Sequence, residues 1–427
     1  MESHHLSEKP RVFYGYWIVT ATFFCVFVAS GCGFFAFSLF VKPLQTDLGW
    51  GRGEIMTAFT IFYLVTAVAS PFIGRIVDYY GAKKVISIGA LIAGLGFVLL
   101  SQISTLWHFY ISYAIMGIGT AATGHVPAST IVSNWFKKRR GTAIGIMSTG
   151  IGAGGVVLAP LIGSYLIPNF GWRVSYLALA VLTWVLVIPL TLLVIKTKPA
   201  DMGLYPDGNP APETTAVTET SPLTTEGVTL QTALATSAFW LIAVSFLIGL
   251  FSQVGIIQHQ VPYLEDIGFP ITMAAGVLGV VGLTSAIGKF GFGWLCDRIP
   301  AKYAWFIGLG FQAVSIIILL NVQATSPQAM IWLYAIAVGL GAGSWLPTMS
   351  MLVSTSFGLT AYGAIFGAVT LFEFTGVATG PLMAGYMYDA MGNYHWAFII
   401  FLGLHIVSIP TALAIRHPKS SRHTKEE

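Results

Sequence analysis

The sequence predicts an all-α polytopic membrane protein with 12 transmembrane helices in two six-helix bundles and both termini in the cytoplasm. Two compositional observations point to this class: 9% of the 427 residues are Asp, Glu, Lys or Arg, while 55% are hydrophobic. A soluble domain averages about 25% charged residues, so this chain lacks the polar surface of a water-soluble globule. A third observation is a succession of apolar runs long enough to cross a bilayer.

The composition also argues against several other classes. The net charge of +4 is too small to indicate binding to nucleic acid. Cys25, Cys32 and Cys296 lie within or at the ends of apolar stretches, and they predict neither a disulfide framework nor a metal site. The first apolar stretch runs for about 26 residues, longer than the 7–15 of a signal-peptide core, so we expect it to be retained as a membrane helix.

The apolar runs follow one another along the whole chain. About 20 apolar residues cross the roughly 30 Å hydrocarbon layer as a helix, because lipid cannot satisfy the hydrogen bonds of irregular backbone. The predicted spans are 14–40, 54–77, 84–103, 107–134, 142–167, 172–195, 237–262, 272–296, 303–323, 328–353, 361–388 and 394–415.

The spans divide into two groups of six. We predict an N-terminal six-helix bundle at 1–198, a cytoplasmic linker at 199–232 and a C-terminal six-helix bundle at 233–427. Residues 199–227 are rich in Pro, Thr, Gly and Glu and have no apolar face, as is typical of linkers.

Basic residues predict the orientation. Lys42, Arg52 and Arg173 lie at the ends of spans opposite the termini, and Lys289 lies inside a span. The other 17 of the 21 basic residues lie on the side of the termini. They are Lys9, Arg11, Arg75, Lys83, Lys84, Lys137, Lys138, Arg139, Arg140, Lys196, Lys198, Arg298, Lys302, Arg416, Lys419, Arg422 and Lys425. The positive-inside rule therefore predicts cytoplasmic termini in a cell membrane.

Two motifs repeat at nearly one offset. "GRIVDYYGAKK" follows the second span and "GWLCDRIPAK" follows the eighth, with their first glycines, Gly74 and Gly293, 219 positions apart. "APLIGSYLIPNFGW" in the fifth span matches "GPLMAGYMYDAMGNYHW" in the eleventh, with the prolines 221 apart. A parallel six-plus-six repeat is typical of transporters that rock two bundles about a central site.

The repeated loops are candidate gates. Gly74 and Gly293 would let neighbouring helices approach closely, while Asp78 and Asp297 would accept hydrogen bonds from a helix N-terminus or pair with a nearby base such as Arg298. The alternative is charge that only orients the spans. Recurrence in both halves favours the gate.

These loops, "WFKKRRGTAIGI" after the fourth span and the Gly/Pro pattern of spans five and eleven resemble the major facilitator superfamily over essentially the whole chain. "YGYWIV…FSLFVKPLQTDLGW", "FYLVTAVASPFIGRIVD", "HQVPYLEDIGF" and "LTSAIGKFGFGWLCDR" are similar to its bacterial monocarboxylate porter and oxalate/formate antiporter-like group. The resemblance implies a transporter of small organic anions.

Lys289 is the principal candidate for substrate binding. No other charge lies within seven positions of it, and a lysine at mid-membrane costs about 2.5–3.5 kcal/mol unless it has a partner or a cavity. The alternatives are a permanent pair with a carboxylate or a cation that receives an anionic substrate. The resemblance favours the second, because relatives carry a carboxylate-binding base here, usually Arg. Lysine keeps that charge but loses the bidentate fork.

The chain departs from its relatives at three other positions. Animal monocarboxylate carriers have an Asp where this chain has Ser285, and a span-1 lysine where it has Phe35. Oxalate-type relatives have a second lysine where this chain has Val369. One cation suits one negative charge, so we expect a monoanion rather than oxalate.

His125 and Glu373 are further candidates. A lone buried histidine is most often a packing residue, but relatives carry a tyrosine at this position that resembles a substrate contact, and His125 can donate similarly. Thr123 is a weaker candidate because it lies about 200° round the helix from His125. Glu373 is an acid deep inside span eleven, which either pairs with Lys289 or carries a coupled proton.

The resemblance adds four more candidates. His259 matches the family's His-x-x-Pro pattern and is a candidate for proton coupling or an outer gate, with an ordinary helix-end histidine as the alternative. Trp345, Phe34 and Phe35 could form apolar walls, since spans 1, 4, 7 and 10 usually line the superfamily's cavity.

The predicted function is therefore secondary active transport of a small lactate- or pyruvate-like monocarboxylate, with a proton as the coupling ion. One alternative is an organic-anion exchanger of the oxalate/formate type, and another is a membrane carboxylate receptor that transports nothing. We expect no enzymatic activity, no metal, no other cofactor, no nucleic acid and no obligatory protein partner. The expected partners are the small organic anion and the lipid bilayer.

Overall fold

The computed structural model describes residues 13–208 and 227–415, and every long element within these residues is a helix. Residues 209–226 of the predicted linker lie outside the described residues. The two chain ends, with their basic residues, also lie outside them.

The helices fall into an N-terminal half, residues 13–208, and a C-terminal half, residues 227–415. The first half contains α1 (Gly15–Leu48), α2 (Arg52–Tyr80), α3 (Ala82–Ser101), α4 (Leu106–Thr123), α5 (His125–Trp135), α6 (Arg140–Pro160) and α7 (Ile167–Val194). The second contains α8 (Leu230–Leu234), α9 (Ser237–Asp266), α10 (Ile271–Cys296), α11 (Ala301–Leu320), α12 (Gln328–Phe357), α13 (Tyr362–Met391) and α14 (His395–Leu413).

Ten helices in the described residues are long and apolar enough to cross a membrane. Three of the predicted spans do not appear as separate helices among these ten. The predicted 107–134 span divides at Gly124, whose extended backbone separates α4 from α5. The predicted fifth and sixth spans lie within one stretch, Arg140–Val194, in which a π-helical turn at Leu161–Leu166 follows α6 and the non-helical backbone of Gly171 kinks the chain. The count of 12 crossings thus stays a prediction.

Two helices differ from the prediction at particular positions. The helix that begins at Gly15 continues to Leu48, eight residues past the predicted end, and includes a π-helical turn at Gly31–Phe35. Near the start of α7, Gly171 has φ +76°, a backbone conformation that glycine adopts without steric cost. This glycine kinks the chain between the predicted fifth and sixth spans.

The two halves meet mainly through two helix pairs, α2 with α13 and α6 with α10. In the first pair, a Cβ atom on Gly74 would collide with the backbone of Gly363. In the second pair, a Cβ atom on Gly293 would collide with the backbone of Gly141. Glycine at these positions is what lets the helices approach to backbone contact. We call the end of the molecule at which these glycines lie the closed end.

Candidate functional site

A central cavity of ≈ 280 Å³ lies between the halves. Its walls come from α1, α2 and α4–α6 of the N-terminal half and from α9, α10, α12 and α13 of the C-terminal half. Most of the lining side chains are apolar, and among the described residues Lys289 and Glu373 bring ionisable charge into it. The volume lies near the lower end of the range for small-molecule sites, about 300–1,000 Å³.

Lys289 projects from α10 into this cavity and is 4% exposed. Its Nζ donates to Oγ of Ser285, one helical turn earlier, at 2.6 Å. An ammonium group has three donors, and Ser285 is the single acceptor that the described residues offer it. No carboxylate oxygen of the described residues lies within 4.0 Å of Nζ. The position is therefore that of a buried cation able to receive an anion.

Glu373 pairs with a histidine rather than with Lys289, so the ion pair considered for Lys289 and Glu373 is absent from the described residues. Nε2 of His125 lies 3.4 Å from Oε2 of Glu373. Glu373 is 1% exposed, and its Oε2 has no hydrogen-bond partner within the described part of the chain. Because His125 begins α5 and Glu373 lies on α13, this contact joins the two halves.

Aromatic rings surround that pair. The ring centroid of His125 lies 5.4 Å from Trp345 and 5.3 Å from Phe374. Phe34 and Phe35, on the π-helical turn of α1, also line the cavity. The structure thus brings the six residues Lys289, His125, Glu373, Trp345, Phe34 and Phe35 to one cavity.

Thr123 and His259 do not line the cavity. The hydroxyl of Thr123 donates to the backbone oxygen of Gly119, its own preceding turn, and the side chain is buried. His259 is half-buried; its Nε2 donates to the backbone oxygen of Pro381 at 2.9 Å, and its Nδ1 lies 3.2 Å from Oη of Tyr394. These contacts connect α9 with α13 and with the start of α14.

Tyr63 and Gln253 are among the cavity residues that were not predicted from the sequence. Tyr63 of α2 lines the wall with its ring centroid 5.4 Å from Phe374, and the sequence carried no signal for it because membrane aromatics are mostly packed or lipid-facing. Gln253 of α9 also lines the wall. In its case a signal existed, since an amide interrupts the apolar run "LIGLFSQVGII".

The two repeated aspartates make equivalent contacts at the closed end. Asp78 accepts hydrogen bonds from the backbone nitrogens of Gly363 and Ala364, at 2.9 and 2.8 Å, in the first turn of α13. Asp297 accepts from the backbone nitrogens of Gly141 and Thr142, at 2.7 and 2.8 Å, in the first turn of α6. The first N–H groups of a helix have no partner inside it, and a negative charge is favoured there.

Arg298 takes a different role from the one predicted. Its guanidinium stacks over Trp294 at 3.6 Å from the ring centroid, and its Nη1 donates to the backbone oxygen of Trp294. Within the described residues it makes no ion pair with Asp297. The stacking arises because planar, weakly hydrated guanidinium groups pack well on indole.

Apolar membrane-length helices in two halves, with a cavity between them that carries buried charge, define a polytopic membrane transporter. The sequence profile of the Major Facilitator Superfamily matches residues 22–377, so the chain belongs to that superfamily. Its relatives are membrane transporters and not enzymes.

Curated relatives include several monocarboxylate transporters. Monocarboxylate transporter 13 of Rattus norvegicus is 25% identical over 397 residues, which cover 93% of this chain and 87% of the relative. Monocarboxylate transporter 11 of Homo sapiens is 29% identical over 344 residues, which cover 79% and 69%. Among solved structures, a variant of the E. coli fucose:proton symporter FucP matches with a TM-score of 0.69 at 16% identity, covering 94% of this chain and 98% of that one. At this identity the match supports the fold.

Proposed function

We propose that this transporter moves a small monocarboxylate of the lactate or pyruvate type, together with a proton, by alternating access. The observation that carries the proposal is Lys289, a buried cation on the cavity wall whose acceptor is the Ser285 hydroxyl rather than a carboxylate. Intramembrane charge is costly and is usually functional, and a carboxylate would supply the missing counter-charge. The names of the curated relatives support the same substrate class.

The proton is assigned to Glu373 in its pair with His125. Oε2 of Glu373 is buried and lacks a hydrogen bond, so it has room for a proton directed at the imidazole 3.4 Å away. Because Glu373 and His125 lie in different halves, a proton bound here would act on a contact between the halves. An anion and a proton cross together without net charge, so the membrane potential does not oppose them.

The gate is assigned to the closed end. With both termini cytoplasmic, as the basic residues predict, the Asp78 and Asp297 contacts lie on the cytoplasmic side. The state described here is then closed toward the cytoplasm. The proposed layout keeps 12 crossings in a cell membrane, with bundles at 1–198 and 233–427 joined by the linker 199–232.

Two alternative functions were considered, a carboxylate receptor and an organic-anion exchanger. Membership of a transporter superfamily sets aside a receptor that transports nothing. An exchanger of organic anions stays open as an outcome of the test. A doubly charged substrate such as oxalate suits the cavity less well, because Lys289 is the one Lys or Arg among the described residues that lines it.

The test uses purified protein in liposomes that contain a pH-sensitive dye. Lactate, pyruvate, formate or oxalate is added outside, and we expect internal acidification with lactate or pyruvate. Lys289→Met should abolish the signal, Lys289→Arg should retain part of it, and Lys42→Met, at an exposed lysine, should leave it unchanged. A signal only in liposomes preloaded with a second anion would assign an exchanger. Unchanged transport by Lys289→Met would overturn the substrate site.

A further inference from the structure

Gln253 is a polar side chain on an otherwise apolar part of the cavity wall. It is 5% exposed and projects from α9, where its neighbours along the lining are Leu250, Val254 and Ile257. An amide in this position needs hydrogen-bond partners, and behind the wall it finds them in a buried polar chain.

That chain sets the orientation of the Gln253 amide. The backbone oxygen of Gly341 can only accept, so the Gln312 atom that lies 3.2 Å from it is the donor Nε2. The same Nε2 donates to Oε1 of Gln253 at 2.6 Å. On its other side, Oε1 of Gln312 lies 2.5 Å from Nε2 of His405, whose Nδ1 lies 3.0 Å from the backbone oxygen of Phe401. The Gly341 carbonyl thus favours the orientation in which Gln312 donates to Gln253.

This orientation determines which atom of the Gln253 amide faces the cavity. Because Oε1 of Gln253 already accepts from Gln312, the Nε2 group of Gln253 is the part of the amide left to face the lining. No acceptor for this Nε2 occurs among the residues that the structure describes. Gln312 and His405 are almost completely buried and hold the arrangement from behind. In this orientation the wall presents a neutral hydrogen-bond donor to the cavity.

Gln312, which bonds to Gln253, and the backbone of Lys289 contact α12 at similar depths. Along α12, Gly341 packs against Gln312, while Gly343 packs against the backbone of Lys289. Two residues of helix correspond to a rise of about 3 Å. A small acid bound through its carboxylate at Lys289 would have its next oxygen within the same layer of the cavity as the amide of Gln253.

We propose that Gln253 is a specificity-determining residue that donates a hydrogen bond to the 2-hydroxyl or 2-keto oxygen of a monocarboxylate held at Lys289. Gln312 and His405 are positioning residues for that amide. The inference rests on the proposed function and deepens it, since it separates 2-oxygenated acids from plain short-chain acids of the same charge. The cavity then recognises the carboxylate by charge, the neighbouring oxygen by the amide and the carbon chain by its aromatic walls.

The test compares L-lactate with propionate, which has the same carboxylate and lacks the 2-hydroxyl. Each acid is titrated by calorimetry into the full chain in lipid nanodiscs. We expect the parent to bind lactate at least about tenfold more tightly, because a site built to bond a hydroxyl leaves its donor unpaired with the analogue. Gln253→Met, of similar size and unable to donate, should bring the two affinities to within about twofold by weakening lactate alone.

Two further variants test the positioning role. Gln312→Met should lower the lactate-to-propionate ratio about threefold, since the Gln253 amide loses the partner that orients it. The matched control is Gln260→Met, a buried amide on the same helix as Gln253 that bonds to Tyr334 and does not line the cavity. Its ratio should equal that of the parent.

The outcomes separate this inference from the proposed function. An unchanged ratio in both Gln253→Met and Gln312→Met, with both acids still lost in Lys289→Met, would overturn the role of Gln253 and keep the carboxylate site. Binding of neither acid by the parent would overturn both proposals. A ratio that falls in Gln260→Met as much as in Gln253→Met would show a general packing effect and refute the specific one.

Discussion

The two helix pairs that join the halves, α2 with α13 and α6 with α10, are alike at the closed end and opposite in charge at the cavity. Each pair has a glycine-to-glycine backbone contact and an aspartate bound to the first turn of the partner helix. Further along, however, α13 carries the acid Glu373 and α10 carries the cation Lys289.

This difference indicates that the two helix pairs, although built alike at the closed end, bind different ligands. The α6–α10 pair would receive the anion, because Lys289 sits on it. The α2–α13 pair would receive the proton, because Glu373 sits on it and contacts His125 of the other half. Both ligands then act on helices whose closed-end contacts must break before the cavity can open on that side.

The largest expected effect comes from removing the acid of the α2–α13 pair. Glu373→Gln keeps the shape of the side chain but cannot exchange a proton, so uptake driven by an imposed pH gradient should fall at least about a hundredfold. Lactate binding, measured by calorimetry at the same pH, should change by less than about fivefold, because Lys289 is intact. The measurement is dye-monitored acidification in liposomes.

A control for this prediction is Glu373→Asp, which keeps an ionisable group and should retain part of the gradient-driven uptake. If Glu373→Gln still acidifies the liposomes at the parent's rate, then the proton travels elsewhere. The two helix pairs would in that case share no division between anion and proton.

The closed-end contact of α2 with α13 can be disrupted sterically. In Gly363→Val, the new Cβ atom would meet the backbone oxygen of Gly74 and the carboxylate of Asp78, so the helices must separate. Overpacking of this kind costs about 1–3 kcal/mol, which corresponds to roughly fivefold to 150-fold in the open fraction, with tenfold at about 1.4 kcal/mol. Native Cys296 reports opening, because it is buried beside Gly141 at the closed end.

The readout is the rate of maleimide labelling of Cys296 in a Cys25→Ala/Cys32→Ala background, and Gly363→Val should raise it at least tenfold. The matched control is Gly310→Val, since a Cβ atom on Gly310 would meet nothing within 4 Å. Equal labelling in the two variants would mean that the glycine contact does not hold this end shut.

The equivalence of the two closed-end contacts was predictable from the repeated motifs in the sequence. The shared offset of about 220 residues predicted that Gly74 and Gly293, like Asp78 and Asp297, have equivalent roles. What could not be predicted is the partner of each aspartate, because Asp297 bonds to residues about 155 positions away in the other half. Such partners depend on how the two halves pack against each other, and short sequence motifs do not determine that packing.

In the cavity, too, single residues were predictable from the sequence but their contacts were not. Lys289 was predictable because a lone charge in lipid is costly, whereas the choice of His125 over Lys289 as the neighbour of Glu373 depends on the packing of α5 against α13. The break at Gly124, within the small residues "TAATGH", was not predicted, although a glycine with a proline three residues beyond it is a helix-stop signal. Gln253 was overlooked because its importance lies in the hidden Gln312 behind it.

A smaller effect should come from the aspartates themselves. Asp78→Asn and Asp297→Asn each remove a negative charge from a helix N-terminus, where such a charge is worth about 0.3–2 kcal/mol. Both variants should raise Cys296 labelling, by about threefold for Asp78→Asn and about tenfold for Asp297→Asn. The order follows from the bonds, because Asp297 also accepts from Oγ1 of Thr142 at 2.6 Å. The reverse order would contradict the bond count as the source of the difference.

The smallest effect isolates that one extra bond. Thr142 in the first turn of α6 and Ala364 in the first turn of α13 are equivalent positions. Each directly follows the glycine whose backbone nitrogen donates to the same aspartate. Thr142→Ala should raise Cys296 labelling about fivefold by removing a hydrogen bond worth about 1 kcal/mol, while Thr142→Ser, which keeps the hydroxyl, should match the parent. Conversely, Ala364→Ser places a hydroxyl beside Asp78 and should slow labelling two- to threefold. If Thr142→Ala and Thr142→Ser label alike, the extra hydroxyl does not strengthen the gate, and the two closed-end contacts are equivalent in strength as well as in design.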